Sequence, residues 1–269
     1  MRLVLLALCL IAALPAGAQR MPSHCIALSE NVAGVQYAAL GGLPALNREQ
    51  LRIHYVGHST LLLETPGGIT TATDFTGFVG PGILPDVVTM NRAHSSHYTD
   101  NPDPAIAHVL KGWGDTSAPA SHYLDLEEVV IRNVTTDIRD GFGGRVKDGN
   151  SIFVFEMAGL CIGHLGHLHH IPSDEHYALI GRLDIVMVPV DGGMTLPVAD
   201  MVRVVERLRA SIVIPMHWFG DGTLGHFLRE MGDTFDIVHA GGNTLTTSLR
   251  DLPRRPLIHV LQPRPVTGP

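Results

Sequence analysis

Pro85-Asp86-Val87-Val88-Thr89-Met90-Asn91-Arg92-Ala93-His94-Ser95-Ser96-His97 carries an apolar strand straight into a polar loop with two imidazoles three residues apart. A sheet delivers metal ligands in this way, because its strands are held by their neighbours and their ends open into loops. If the loop turns like the first coil of a helix, side chains three residues apart meet on one side. Neutral imidazole is the commonest protein ligand for zinc and its neighbours. Two further junctions of this kind lie downstream. Gly159-Leu160-Cys161-Ile162-Gly163-His164 continues into Leu165-Gly166-His167-Leu168-His169-His170, and Ser211-Ile212-Val213-Ile214-Pro215-Met216 ends at His217-Trp218. Three strands that end in histidine predict a site at the edge of a sheet.

Upstream, residues 51–56 and 60–64 are short apolar runs split by Gly57-His58-Ser59, and Pro66-Gly67-Gly68 turns the chain into 69–74, so an antiparallel meander is expected. Residues 86–90 form the next strand. Residues 104–110 read as a helix, with Asp103 as N-cap and Pro104 at the first helical position. Strands follow at 129–134, 151–156 and 160–164, and the Gly-rich stretch 140–149 is either a lid over a cleft or a long hairpin connection. The last third alternates: helix 174–181, strand 184–190, amphipathic helix 197–210, strand 211–216, helix 224–231. The class is α/β, with two mixed sheets packed face to face and helices outside, and the site lies where strand ends converge. The Pro-rich tail, 251–269, has one strand-like piece at 257–261, expected as a final edge followed by disorder.

At 269 residues without a long linker, one main domain over 50–250 is expected after an arm at 19–49. Residues 1–18 read as a signal peptide: Arg2, an apolar run from Leu3 to Leu14, then Ala16-Gly17-Ala18 before Gln19. A periplasmic or secreted protein follows, with an uncleaved anchor as the alternative and no other segment long and apolar enough to span a membrane. A net charge of −7 and scattered Lys and Arg argue against nucleic acid and anionic membranes as partners. Beyond the signal, Cys25 and Cys161 either form one disulfide, if their Cα atoms come within about 7 Å, or stay as two buried thiols. Sixteen histidines against three cysteines point to imidazole, and not thiolate, as the metal chemistry.

In these residues the chain resembles the metallo-β-lactamase-fold hydrolases, in particular their lactonase-like and N-acyl-phospholipid phosphodiesterase-like branch. The resemblance covers about 51–245 by motif order and spacing. It is carried by Tyr55-Val56-Gly57-His58-Ser59-Thr60 with Thr73-Asp74, by Thr89 to His97 where the family has HxHxDH, and by Gly159 to His170 where it has a strand followed by HLGD. Val188-Pro189-Val190-Asp191-Gly192-Gly193 and Ile214-Pro215-Met216-His217 complete it. In that alignment Arg92 replaces the first signature histidine, Ser96 the aspartate, and His167 the metal-bridging aspartate. No histidine stands at 136–139, where the family places another.

The resemblance implies an αββα sandwich and an enzyme, a metal-dependent hydrolase of a small-molecule ester, lactone or phosphodiester through a metal-activated water. One of the two family metal pockets is expected to be lost, because a guanidinium cannot ligate and repels a dication, leaving Arg92 as fixed positive charge. The other implies one Zn²⁺, or another divalent ion, among His97, His167 and His217, with His94 as a fourth ligand or a hydrogen-bonding neighbour. The general base is open between His58, His94 and Asp191. Asp74 reads as a structural carboxylate under the site, and His164, His169 and His170 as non-ligands. Trp113, Trp218 and Phe219 either line a pocket or pack in the core. A degenerate member that binds a metal or ligand without turnover is the competing class.

Overall fold

The computed structural model describes residues 23–26, 45–91, 94–115 and 118–267. The expected signal peptide, most of the N-terminal arm and Arg92 lie outside them. The chain begins with β1 (Gln50–Gly57), β2 (Thr60–Glu64), β3 (Thr70–Ala72), β4 (Val87–Met90) and β5 (His108–Lys111), then β6 (Tyr123–Asp125), β7 (Val129–Arg139), β8 (Arg145–Met157) and β9 (Leu160–His164). It goes on through α1 (Asp174–Ile180), β10 (Ile185–Pro189), α2 (Val198–Leu208), β11 (Ile212–Met216), α3 (Asp221–Met231), β12 (Asp236–His239), β13 (Thr244–Ser248) and β14 (Leu257–Val260). Two mixed sheets result, ordered β13-β1-β2-β3-β4-β5 and β12-β14-β11-β10-β9-β8-β7-β6.

Period-two alternation sets the layers. Ile185 and Met187 of β10 and Phe153 and Phe155 of β8 point between the sheets, where they meet Leu51, Ile53, Leu61 and Leu63. Val186 and Val188 point the other way, onto Met201, Val204 and Val205 of α2 and Phe227 and Met231 of α3. Burial on both faces of β9, β10 and β11 suits the centre of the parallel run β9-β10-β11-β14-β12, which ends in the exposed β12. The outer face of the smaller sheet (Leu62, Ala72, Val88, Met90) is covered by Phe75, Val79, Ile106 and Val266, which come from loops and the tail. Among the described residues the α-helices therefore pack on the larger sheet.

Two expected elements come out differently. Asp103 does cap a turn, accepting from the N–H of Ala105 at 2.9 Å, but the chain then pairs in parallel with β4 as β5 in place of the expected helix. Pairing of Val109 with Val88 against the buried sheet outweighs a cap on a short apolar run. The piece at 257–260 is an interior strand, β14, between β12 and β11, and β12 takes the edge. Beyond it the tail is pinned: Arg264 N–H donates to Tyr55 O at 3.0 Å, and Val266 N–H to Val79 O at 2.9 Å.

Of the two readings of the Gly-rich stretch, the hairpin holds. β7 and β8 pair as far as Arg139 with Arg145, so only 140–144 is turn. Cys25 and Cys161 are joined by a disulfide, Cα to Cα 5.8 Å, which ties the arm to β9.

Candidate metal centre

The parallel strands β3 and β4 in one sheet and β9, β10 and β11 in the other lead into Asp74, the 94–97 loop, the 164–170 loop, Asp191 and His217. Two of these junctions, Asp74 (φ 41) and His217 (φ 56), and His58 (φ 52) in the β1–β2 turn sit in left-handed backbone that non-glycine residues avoid. Such conformations cost about 1–3 kcal/mol each and persist only where their surroundings enforce them. Here the carbonyl of His58 accepts from the N–H of His217 and from the hydroxyl of Tyr55, both at 2.7 Å, which locks the β1–β2 turn to the end of β11.

His97 and His217 form the centre. Their Nε2 atoms lie 3.2 Å apart and both side chains are fully buried. Behind His97, Nδ1 is 2.5 Å from Asp74 Oδ2 and 2.9 Å from the Ser59 hydroxyl. The other oxygen of Asp74 accepts from the amide of Asn91 at 2.9 Å, which fixes the carboxylate. Behind His217, Nδ1 is 3.2 Å from Asp191 Oδ1, ion-pair distance although off the line of a good hydrogen bond. Asp191 is gripped from its own loop by the N–H groups of Gly193 (3.0 Å), Met194 (2.5 Å) and Thr195 (3.1 Å), and by the Thr195 hydroxyl.

His94 and His167 make a second pair, Nε2 to Nε2 2.9 Å. His94 Nδ1 is 2.6 Å from the Ser96 hydroxyl, which also lies 2.8 Å from Nε2 of His58. His58, His94, His97 and His217 each offer a ring nitrogen within 4.8 Å of the others, and His167 joins through His94. His164 is occupied elsewhere, Nε2 donating to Ser59 O at 2.9 Å, and His169 contacts His167 from outside. Phe219 is an exposed lip, ring centroids 5.4 Å from His58 and 5.5 Å from His217. Trp218 packs against the cores, and Trp113 lies against Tyr98 in the smaller sheet's outer cluster.

Burial, and then neighbouring imidazoles, favour the neutral ring at His58, His94, His97 and His167. Burial with neighbouring His217, His97 and His94 lowers His58 to about 3, and burial with Arg139 lowers His169 to about 4. His94, His97, His164 and His167 are lowered as well, burial being the largest cause. Burial pushes Asp74 up. It also opposes ionisation of Asp191, but the adjoining His217 ring and hydrogen bonds from Thr195 and Gly193 outweigh it and hold that carboxyl well below the usual range. Imidazole nitrogens gathered this closely, two of the rings backed by carboxylates, fit a divalent ion of borderline softness. Two nitrogens on one tetrahedral zinc, each about 2.0 Å from it, stand about 3.3 Å apart, close to the His97–His217 spacing.

The structure thus brings together four histidines expected as ligands and His58, with Asp191 directly behind His217. Sequence reading did not find Ser59, Asn91 or Arg139 around the site. They are ordinary polar residues on strands or turns, and only the long-range pairing of the two sheets places them.

Residues 52–217 match the family model described as "Beta-lactamase superfamily domain". A UPF0173 metal-dependent hydrolase of Pyrococcus horikoshii is 23% identical over 214 residues, 70% of this chain and 95% of that protein. Another, from Pyrococcus furiosus, is 31% identical over 190 residues, 62% of this chain and 84% of that one. A Thermotoga maritima protein of the metallo-β-lactamase superfamily, assigned as a Zn-dependent hydrolase, superposes with TM-score 0.56 at 27% identity, covering 80% of this chain and 100% of its own. A metallo hydrolase from Ignicoccus hospitalis (TM-score 0.52, 16% identity, 74% and 99% covered) shares the fold.

Proposed function

Because the chain belongs to the beta-lactamase superfamily and is a metal-dependent hydrolase of it, we propose that it is an exported enzyme using one zinc ion to hydrolyse a small ester, lactone or phosphodiester. The observation that carries this reading is the pair His97 and His217, Nε2 atoms 3.2 Å apart, each with a carboxylate at its back. When bound, a divalent ion supplies Lewis acidity and lowers the pKa of a water that it holds.

The chain's own groups do the rest. Asp74 and Asp191 orient His97 and His217 and bring negative charge toward the ion from behind. Asp191, expected among the bases, is an orienting group here, since its oxygens are taken by Gly193, Met194 and Thr195. His58, held to about 3, is too weak a base for work near pH 7 and serves as the partner of the Ser96 hydroxyl. Burial of Asp74, His97 and His217 keeps bulk water off the inner wall, while His58 and His94, only partly buried, border the open side.

Export is supported by the 1–18 leader pattern and by the Cys25–Cys161 disulfide, which suits an oxidising compartment. The test is the purified mature protein, loaded with zinc and offered panels of esters, lactones and phosphodiesters. Turnover in one panel that a chelator abolishes is expected; bound zinc with no turnover in any would favour the non-catalytic alternative. Processing to Gln19 in the exported fraction is expected, and retention in the cytoplasm with the leader intact would contradict export.

A further inference from the structure

A backbone N–H can only donate, and that of Arg139 donates to Nδ1 of His169 at 2.5 Å. The neutral His169 ring therefore carries its single proton on Nε2. This nitrogen is 2.6 Å from Nδ1 of His167, which must accept. The proton of His167 is thus on Nε2, the atom that faces His94.

Arg139 is itself held firmly, its guanidinium donating to the carbonyls of His169 (3.3 Å), Gly193 (3.1 Å), Met194 (2.8 Å) and Thr195 (2.9 Å). A histidine that ligates through Nε2 normally donates its other N–H to an acceptor behind it. Asp74 stands behind His97, Asp191 behind His217, and the Ser96 hydroxyl, which can accept, behind His94. Behind His167 stands a donor.

Building on the proposed metal site, we infer that the ion is held by His94, His97 and His217, and that His167 is a fixed N–H donor beside it and no ligand. Once His94 gives its lone pair to the ion, the Nε2–H of His167 is left to meet an oxygen of the substrate, where a preset donor stabilises developing charge.

The test is ring-nitrogen NMR on the full mature protein with ¹⁵N-labelled histidine, His167 being identified by its loss in H167Q. The expected result is an Nε2–H tautomer for His167 both without metal and with one equivalent of zinc. Calorimetric titration should give H167Q zinc affinity within about threefold of wild type, whereas H94A and H217A lose about a hundredfold or more. An Nδ1–H tautomer with a metal-shifted Nε2 at His167, or loss of zinc in H167Q as severe as in H217A, overturns the inference. Wild-type protein that takes up no zinc overturns the proposed function as well, so the two failures are distinguishable.

Discussion

His97 and His217 meet at 3.2 Å only because each ring is steered from its far side, by Asp74 and Asp191. D74N removes the charge behind His97 while keeping the side chain's volume. Calorimetric titration should show zinc affinity reduced by about 10–100-fold, as expected for loss of a partner behind a ligand; unchanged affinity would mean that the carboxylate only fills space.

The same rings set a pH dependence. His58 and His169 titrate at about 3 and about 4 in the folded chain, against about 6.5 when unfolded. Below about 6.5 the unfolded chain takes up protons that the folded chain refuses, so their contribution is complete above that pH and drains as pH falls toward 4 and then 3. The melting temperature of metal-free protein should fall from pH 7 to pH 4, and a flat profile would contradict this. The residue types of the site were legible in the sequence as histidines at strand ends. The left-handed turns at His58, Asp74 and His217 were not, since non-glycine residues give no local sign of that conformation.

At the scale of elements, β9 does two jobs: it delivers the 164–170 loop, and through Cys161 it anchors the arm, whose Ser23 hydroxyl and His24 N–H reach Glu156 on β8. The disulfide joins residues 136 apart, so C25S/C161S should lose on the order of 2–5 kcal/mol in urea unfolding. Identical unfolding curves for oxidised wild type and variant would rule out that role. Strands such as β2, β9 and β11 were legible because their apolar runs are bounded by turns. β5 was not, because 104–110 carries a real capping signal that tertiary pairing overrides. β12 and β13 escaped notice for a different reason. β12 is an exposed edge and β13 is rich in threonine, so neither shows an apolar pattern.

For the molecule as a whole, two sheets pressed face to face bring distant chain segments to one edge, 94–97 from the smaller and 164–170, Asp191 and His217 from the larger. Motif order sufficed to read that architecture, because the order of strand-end loops along the chain reflects the topology. The division of labour among the imidazoles was not readable in this way. It depends on what stands behind each ring, and for His167 that is a backbone N–H acting through His169 from the end of β7. One divalent ion held at the paired histidines would show in metal stoichiometry per chain, measured on wild type, H97A and H217A supplied with zinc. One ion in wild type and none in either variant is the predicted result; no ion in wild type, or undiminished binding in the variants, would contradict it.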